Sequence, residues 1–467
     1  MHCRGKYGQL SATPPLHPSA SLRVNSPGST PDQPAIGGRS PLQAGGVAAL
    51  LRTPALAPFR FRSYRFQWPA DLLTSWALEM EFLILGWYVL VETDSVLLLT
   101  LFGALQHGGT LIAPMLGVLS DRIGPRNLLT GMRVVYATIA TTVMTLAFAG
   151  ALTPTIVLML VGMAGLVRPS DVGLRAALIA DTMAPEHLTG AMGMSRITSD
   201  SARIAGALTG AGLFAALGMG ASYVAIAAFY ALATFLTSRA DSAHCRAAPG
   251  PVAAATTARV SVWSELRDGV VYIWNAPSLT AIIWLVLLFN LTAFPLTNGL
   301  LPYVARDVYR VDQAGLSYLI ASIAFGAMLG GILVSRVGAG VRLARLMIAS
   351  AVVWHVLLMS YAQMQGISGG IAVLLAAGVT QSLTMVSLTV ILVRESGPRF
   401  RGRVMGVRLL AIYSLPVGLI AAGALIEQIG FAATATIYAA TGLAFTIIIA
   451  VRWRAHMWPA AQPTAAR

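Results

Sequence analysis

The stretch from Gly117 to Arg126 is a short charged turn bounded by glycines, with an apolar run on each side. Val96 to Leu116 precede it and Leu128 to Gly150 follow it, and each run is long enough to cross a bilayer. A chain built this way places Asp121, Arg122 and Arg126 where two membrane helices meet water. The same design repeats to the end of the sequence: long apolar segments, short loops and arginine at one side.

Hydrocarbon has no partners for backbone N–H and C=O groups, so spanning segments must be helices or closed barrels. Unbroken apolar runs favour helices, and the alternating pattern of a barrel strand is missing. Only 11% of the 467 residues are charged and 56% are hydrophobic, too little charge for a water-facing surface of this size. The formal net charge is +14, but the arginines sit in loops between apolar spans, which excludes nucleic acid as the partner. Lys6 is the only lysine, so no phosphate-binding glycine loop with its lysine can form, and no ATPase of that type is present. Cys3 and Cys245 fall in segments read as cytoplasmic, and no disulfide is expected. No nucleophile–base pair, metal-ligand cluster or cofactor loop is visible, so the chain reads as a non-enzyme with no cofactor and no metal.

Residues 1–60 are rich in Pro, Ser, Gly and Ala and read as a disordered cytoplasmic tail. Twelve spans follow, near 69–91, 96–117, 128–150, 154–180, 190–217, 221–239, 277–300, 314–335, 343–363, 369–393, 404–427 and 431–451. A break at 240–276 divides them six and six. Its second part alternates Trp263, Leu266, Val270, Ile273 and Trp274 with charged residues, the spacing of an amphipathic helix lying on a membrane surface. The expected domains are therefore 61–239, a linker over 240–276, 277–452 and a C-terminal tail over 453–467. One side of the membrane receives Arg122, Arg126, Arg239, Arg336, Arg342, Arg345, Arg399, Arg401, Arg403 and others, whereas the opposite side receives only Arg306 and Arg310. The positive-inside rule then puts both termini in the cytoplasm. The halves echo each other: Gly117-x-Leu119-x-Asp121-Arg122-x-Gly124 returns as Gly331-x-Leu333-x-Ser335-Arg336-x-Gly338. A duplicated six-helix unit places a binding site between the halves, near the bilayer midplane.

The stretch from Gly117 to Leu129 resembles the signature between the second and third helices of the major facilitator superfamily. Gly165 to Ala191 is similar to the fourth-to-fifth helix region of its twelve-helix drug:proton antiporter branch, which includes exporters of macrolides and enterobactin. Arg168, Asp171, Arg175, Ala177, Leu178, Glu186, Leu188 and Ala191 carry that likeness. Trp263 to Gly269 and Gly402 to Gly406 extend it into the second half. Two positions depart from the pattern: Pro125 stands where the loop signature has a basic residue, and Gly206-Ala207 where related exporters have Gly-Pro. The resemblance implies an all-α membrane protein of twelve helices in two pseudo-symmetric six-helix bundles. It also implies a bacterial inner-membrane location and a monomer whose partners are lipid, a small-molecule substrate and protons. By the same resemblance Asp121 faces the start of the eleventh helix when the cytoplasmic side closes. Arg122 and Arg126 would pair with Asp181, completing a conformational latch with Gly117 and Gly124.

Glu79 and Glu81 lie in the middle of the first span, where a charge costs about 2.5–3.5 kcal/mol on insertion scales. Two residues on a helix turn through about 200°, so both cannot face the same way. Thr74, Glu81, Tyr88 and Glu92 form one polar stripe, which makes Glu81 the first candidate for a cavity-facing proton site and Glu79 the second. On the fifth span Arg196, Asp200 and Arg203 share a face, and Asp200 and Arg203 are expected to neutralise each other, either as structure or in proton coupling. Arg168, Asp171 and Arg175 are expected to do the same on the fourth span, beside Pro169. His107 and His355 are single histidines in apolar spans and read as hydrogen-bonded core residues. Candidate cavity residues are Trp87, Gln106, Asn290, Phe294, Asn298, Gln381, Thr384 and Tyr413. Apolar walls with few polar anchors suit a small amphipathic molecule. The leading reading is proton-coupled efflux of drug- or siderophore-like molecules. The competing readings are an uptake symporter or uniporter for a polar metabolite and a non-transporting membrane sensor on the same fold.

Overall fold

The computed structural model describes residues 57–110, 112–183, 185–240, 262–336 and 342–457. The segment 1–56, most of the linker before Val262, both cysteines and the end of the C-terminal tail lie outside them. Among the described residues the elements are helices and turns, without strands. The first half runs α1 (Arg62–Thr93), α2 (Val96–Leu105), α3 (Ala113–Ile123), α4 (Pro125–Phe148), α5 (Pro154–Thr182) and α6 (Pro185–Arg239). A linker helix α7 (Val262–Trp274) precedes α8 (Pro277–Thr292), which continues through π-type turns and the single turn α9 (Leu301–Tyr303). The second half continues with α10 (Gln313–Arg336), α11 (Leu343–Ala362), α12 (Ile367–Glu395), α13 (Gly397–Ile412), α14 (Ser414–Ile429), α15 (Phe431–Arg452) and α16 (Arg454–Met457).

Ten of these stretches are long and apolar enough to cross a membrane, and α2 with its following turn is a shorter apolar helix. One of the ten, Gly190–Arg239, is divided at Gly218, whose φ of 76° reverses the chain between the fifth and sixth expected spans. The arrangement is thus consistent with twelve crossings. Helix starts follow local chemistry. Ser95 and Thr153 cap α2 and α5 by accepting from the amides of Leu98 and Ile156, and proline opens α4, α5 and α8. The turn between α3 and α4 needs Gly124, at φ 86°, a conformation that a side chain strains.

In the first half α1 packs against α6, and α4 lies against α5 and α6. In the second half α12 packs on α10 and α11, and α15 on α11. The halves share a device for close helix contact. A Cβ added to Gly109 or Gly165 would meet the backbone carbonyl of the facing helix at 1.9 or 2.0 Å, and at Gly326 or Gly378 at 2.1 or 2.2 Å. Only glycine lets those backbones touch, as small residues do at membrane helix crossings. Between the halves α10 packs on α6, and α2 on α14. The linker helix α7 lies on α13 through Tyr272 stacked on Phe400 at 4.2 Å and Asp268 paired with Arg403 at 3.5 Å. Trp274 at its end is 69% exposed, in keeping with the amphipathic spacing of this segment.

Candidate transport site

A cavity of about 510 Å³ lies between the halves. Its apolar wall is Leu78, Phe82, Val172, Leu409, Ile412 and Leu415. Its polar wall is Glu79, Gln106, His107, Thr110, Arg168, Arg203 and Asn298. That volume and balance suit a small amphipathic ligand.

Arg168 on α5 is the pivot of the polar wall. It donates to Glu81 Oε2 at 3.0 Å and to the Gln106 side-chain oxygen. Tyr230 on α6 donates to the same Glu81 oxygen at 3.0 Å. Glu81 is 4% exposed and stays behind the wall. The expected order of the two glutamates is therefore reversed: Glu79 faces the cavity and Glu81 the bundle interior. Of the polar stripe that placed Glu81 in the cavity, Thr74 and Glu81 are buried, Tyr88 is half-buried and Glu92 is exposed. Thr74 donates to Ala70, and Tyr88 reaches the Leu152 carbonyl at 2.8 Å. Glu79 makes no ion pair or hydrogen bond among the described residues, and the charges that act on it are Arg203, Arg168 and Asp200.

Two further pairings differ from expectation. Asp200 is held by Arg196 at 3.2 Å, one turn earlier, and Arg203 turns away to the side-chain oxygen of Asn298 across the cavity. On α5 only Asp171 and Arg175 pair within the helix. Arg168 is three residues before Asp171, and its long side chain instead satisfies the unpaired Glu81 on α1.

Arg175 and Asp171 belong to a larger buried cluster. Arg133 of α4, 0% exposed, donates to the Asp71 carboxylate of α1 and to the Thr237 hydroxyl of α6. Arg175 Nε lies 3.7 Å from the same carboxylate and Nη1 donates to Ser75 Oγ at 2.7 Å. Gln67 closes the cluster by donating to the Arg175 carbonyl at 3.0 Å. Two aspartates and two arginines balance, which is what makes them tolerable in hydrocarbon. Asp71, Arg133, Gln67 and Ser75 were not singled out from sequence, although a lone arginine inside an apolar run was a signal.

The two ends of the molecule differ. At one end Arg306 binds Asp94 at 2.6 Å and the Leu90 carbonyl at 3.0 Å, joining α1 to the turn after α9. Ser95 reaches Glu427 at 3.5 Å, and α2 lies tightly along α14, where a Cβ on Gly423 would stand 2.3 Å from Thr100 Oγ1. Beside this contact Asp307 is exposed, and partial desolvation foremost, with the charge of Asp94, holds its carboxyl above the ordinary range against the opposing pull of Arg306. At the other end the same two spans continue as α3 and α13, which among the described residues show no comparable packing, and Met115 on α3 is 71% exposed. The proposed latch residues lie there. The side chains of Gly117 and Asp121 are outside the described ones. Arg126 donates to the Ser238 carbonyl at the end of α6, and among the described residues neither it nor Arg122 forms an ion pair with Asp181. The end of α6 thus reaches this turn, beside the end of α5, whose Leu174 and Leu178 pack on Leu128 and Leu129.

Of the candidate cavity residues, Gln106 and Asn298 are in the wall. Trp87 is 7% exposed in the core. Asn290 turns back to the Val286 carbonyl, Phe294 packs edge-on against Trp354, and Thr384 bonds Ser350 at 2.9 Å. Gln381 and Tyr413 are half-buried outside the cavity wall. His107 lines the cavity with Nδ1 at 3.1 Å from the Gly103 carbonyl, and His355 is buried with Nδ1 at 2.8 Å from the Ala351 carbonyl. Among the described residues no cluster of metal-ligating side chains occurs.

The profile of the Major Facilitator Superfamily matches residues 83–418. The chain belongs to this superfamily. It is an integral, multi-pass membrane transporter rather than an enzyme. Solved structures with the same fold include the nucleoside transporter NupG, at 16% identity and a TM-score of 0.63 over 86% of this chain and 100% of that one. The peptide-family transporter PepTSo matches at 12% identity and 0.67 over 85% and 99%. A bacterial homolog of the human lysosomal transporter Spinster, inward-facing and occupied, matches at 13% identity and 0.59 over 85% and 96%. At these identities the likeness is one of fold. No curated protein matches the sequence.

Proposed function

We propose that this superfamily member is a proton-coupled exporter that moves small amphipathic molecules through the cavity by alternating access. The observation that carries the reading is the pair of carboxylates on α1. Glu81 is buried against Arg168 and Tyr230, and two residues away Glu79 stands in the cavity without an ion-pair partner. A carboxylate that meets the cavity and one coupled to a mobile arginine give proton binding a way to change the wall that substrate touches. The apolar share of the wall supports an amphipathic cargo.

The basic end, with Arg122, Arg126, Arg401 and Arg403, is the cytoplasmic one in this proposal, and both termini lie there. The conformation is then inward-open, with the outer end closed by Asp94–Arg306. The protein acts as a monomer in a bacterial inner membrane, with lipid, substrate and protons as its partners. The two bundles, 61–239 and 277–452, rock about the cavity and α7 rides with the second.

The test is flux in proteoliposomes with an imposed pH gradient and a panel of labelled amphipaths. The expected result is gradient-driven movement in the wild type and, in Glu81→Gln, loss of the response to the gradient while substrate-for-substrate exchange persists. Wild-type exchange without any response to the gradient would remove proton coupling. No exchange with any substrate would remove transport through this cavity. Gradient-driven accumulation on the side opposite to export would favour the import reading, which the Gly206-Ala207 departure from the exporter pattern supports.

A further inference from the structure

The charges and hydrogen-bond donors around the cavity do not balance. Glu81 answers Arg168. Arg203 feels the charge of Glu79 without forming an ion pair with it, its hydrogen bond goes to the neutral side-chain oxygen of Asn298, and its Nε is buried without a partner. Arg408 on α13 makes no ion pair or hydrogen bond among the described residues, and its Nε too is buried without a partner. It is not itself in the wall; it lies beside Leu409 and one helical turn before Ile412, which are. Against these two uncommitted guanidinium groups stands the single carboxylate of Glu79. The unpaired buried atoms of the polar wall tell the same story. Arg203 Nε, Arg168 Nε and Gln106 Nε2 are all donors, and Gln106 is 6% exposed.

A guanidinium held in hydrocarbon without a counter-charge is costly, and such groups are kept where something pairs with them. Arginine also presents its donors as a fork that matches a carboxylate or a phosphate. We infer that the cavity takes an anionic amphipath, whose carboxylate-like group is held by Arg203 with Arg408 approaching from the facing half and whose apolar body lies on Leu78, Phe82 and Ile412. The inference rests on the reading of the cavity as the transport site, and it leaves the direction of transport open. Arg203 sits in the first half and Arg408 in the second, so an anion between them bridges the two halves. Glu79 opposes the ligand's charge and acts as a selectivity element: neutralising it strengthens binding.

The test uses the full chain in lipid nanodiscs and three matched probes with one aromatic body, ending in a carboxylate, a primary amide or an amine. Binding is read by calorimetry. The carboxylate probe is expected to bind at least tenfold more tightly than the amide, and the amine more weakly than either. Arg203→Gln should erase the preference for carboxylate over amide, Arg408→Gln should reduce it, and Glu79→Gln should tighten the carboxylate probe several-fold. Monodispersity by size exclusion shows which variants are folded, and the Arg408 variant decides if the Arg203 variant is not. Equal affinity for the three probes, or preference for the amine, would overturn the inference while leaving the cavity as a binding site. Failure of all three to bind would overturn the cavity reading itself, and this inference with it.

Discussion

The two halves of this transporter cross their helices in the same way and fill their interiors in opposite ways. Gly109 and Gly165 let two helices of the first half touch, and Gly326 and Gly378 do so in the second. Around that shared frame the first half buries charge. Its interior holds Asp71, Arg133, Asp171 and Arg175 as a balanced cluster, and Glu81 with Arg168 beside it. Among the described residues the second half has no buried ion pair. Its core has Trp354, Phe289 and His355 in ring contact and Tyr361 against Phe431, with the Ser350–Thr384 hydroxyl pair as a polar link. Duplication thus preserved the geometry of close approach and not the chemistry of the interior. In the proposed mechanism the first half carries the buried carboxylates that bind the proton, and the aromatic core of the second half carries none.

The contrast can be broken most severely at Asp71. Asp71→Asn leaves Arg133 and Arg175 short of a counter-charge and should cost about 3–5 kcal/mol, read as a large drop in thermal midpoint in detergent. Combining it with Arg133→Met should recover much of the loss. A single variant that melts like the wild type would show the cluster to be dispensable. The shared frame is tested next. Gly165→Ala and Gly378→Ala each drive a Cβ into a carbonyl, at 2.0 and 2.2 Å, and each should cost about 1–3 kcal/mol. Similar losses in the two halves support equivalence, and a large difference would contradict it. In the aromatic half, Thr384→Val breaks the hydroxyl pair and should cost about 0.5–1.5 kcal/mol, far less than Asp71→Asn.

A subtler prediction concerns the closed end. Asp307 is exposed, and partial desolvation with the nearby charge of Asp94 raises its pKa in this conformation, so the closed end binds that proton more tightly than a state in which Asp307 is fully hydrated and apart from Asp94. Closure should therefore gain as pH falls through the raised value, and lose that gain above it. Distances between spin labels at exposed Glu92 and Arg310 should shorten on acidification in the wild type and not in Asp307→Asn. The smallest effect is expected at the surface. Arg196→Ala removes a pair whose arginine side chain is 74% exposed, and stability should move by less than about 1 kcal/mol.

The fold was legible because bilayer thickness sets the length of an apolar run and loops must be polar. Both constraints are written residue by residue, and even the break at Gly218 fell between two expected spans. The site was legible only in part. Sequence gave Glu79, Glu81, Arg168 and Arg203 as charges in hydrocarbon, but not which way each turns. Helical phase alone put Glu81 in the cavity. Tyr230, far along the chain, together with Arg168 draws it inward. Asp71 and Arg133 escaped notice because each lies near a span end, where a charge reads as a water-facing anchor. Only tertiary contact shows Arg133 to be wholly covered. Of the second-half cavity candidates Asn298 is in the wall, and others failed for a related reason. Asn290 and Thr384 each donate to a carbonyl one turn back, and no sequence pattern distinguishes a polar group that bonds its own helix from one offered to a ligand.

Glu79 and Glu81 face nearly opposite sides of one continuous rod, the first wetted by the cavity and the second sealed behind it. That makes α1 an insulating partition as well as a strut. In the proposed mechanism a hydrogen ion from the vestibule would go around the flank of the helix, past the guanidinium of Arg168, to reach the inner glutamate. Displacing that guanidinium would then open or shut the detour without a separate valve.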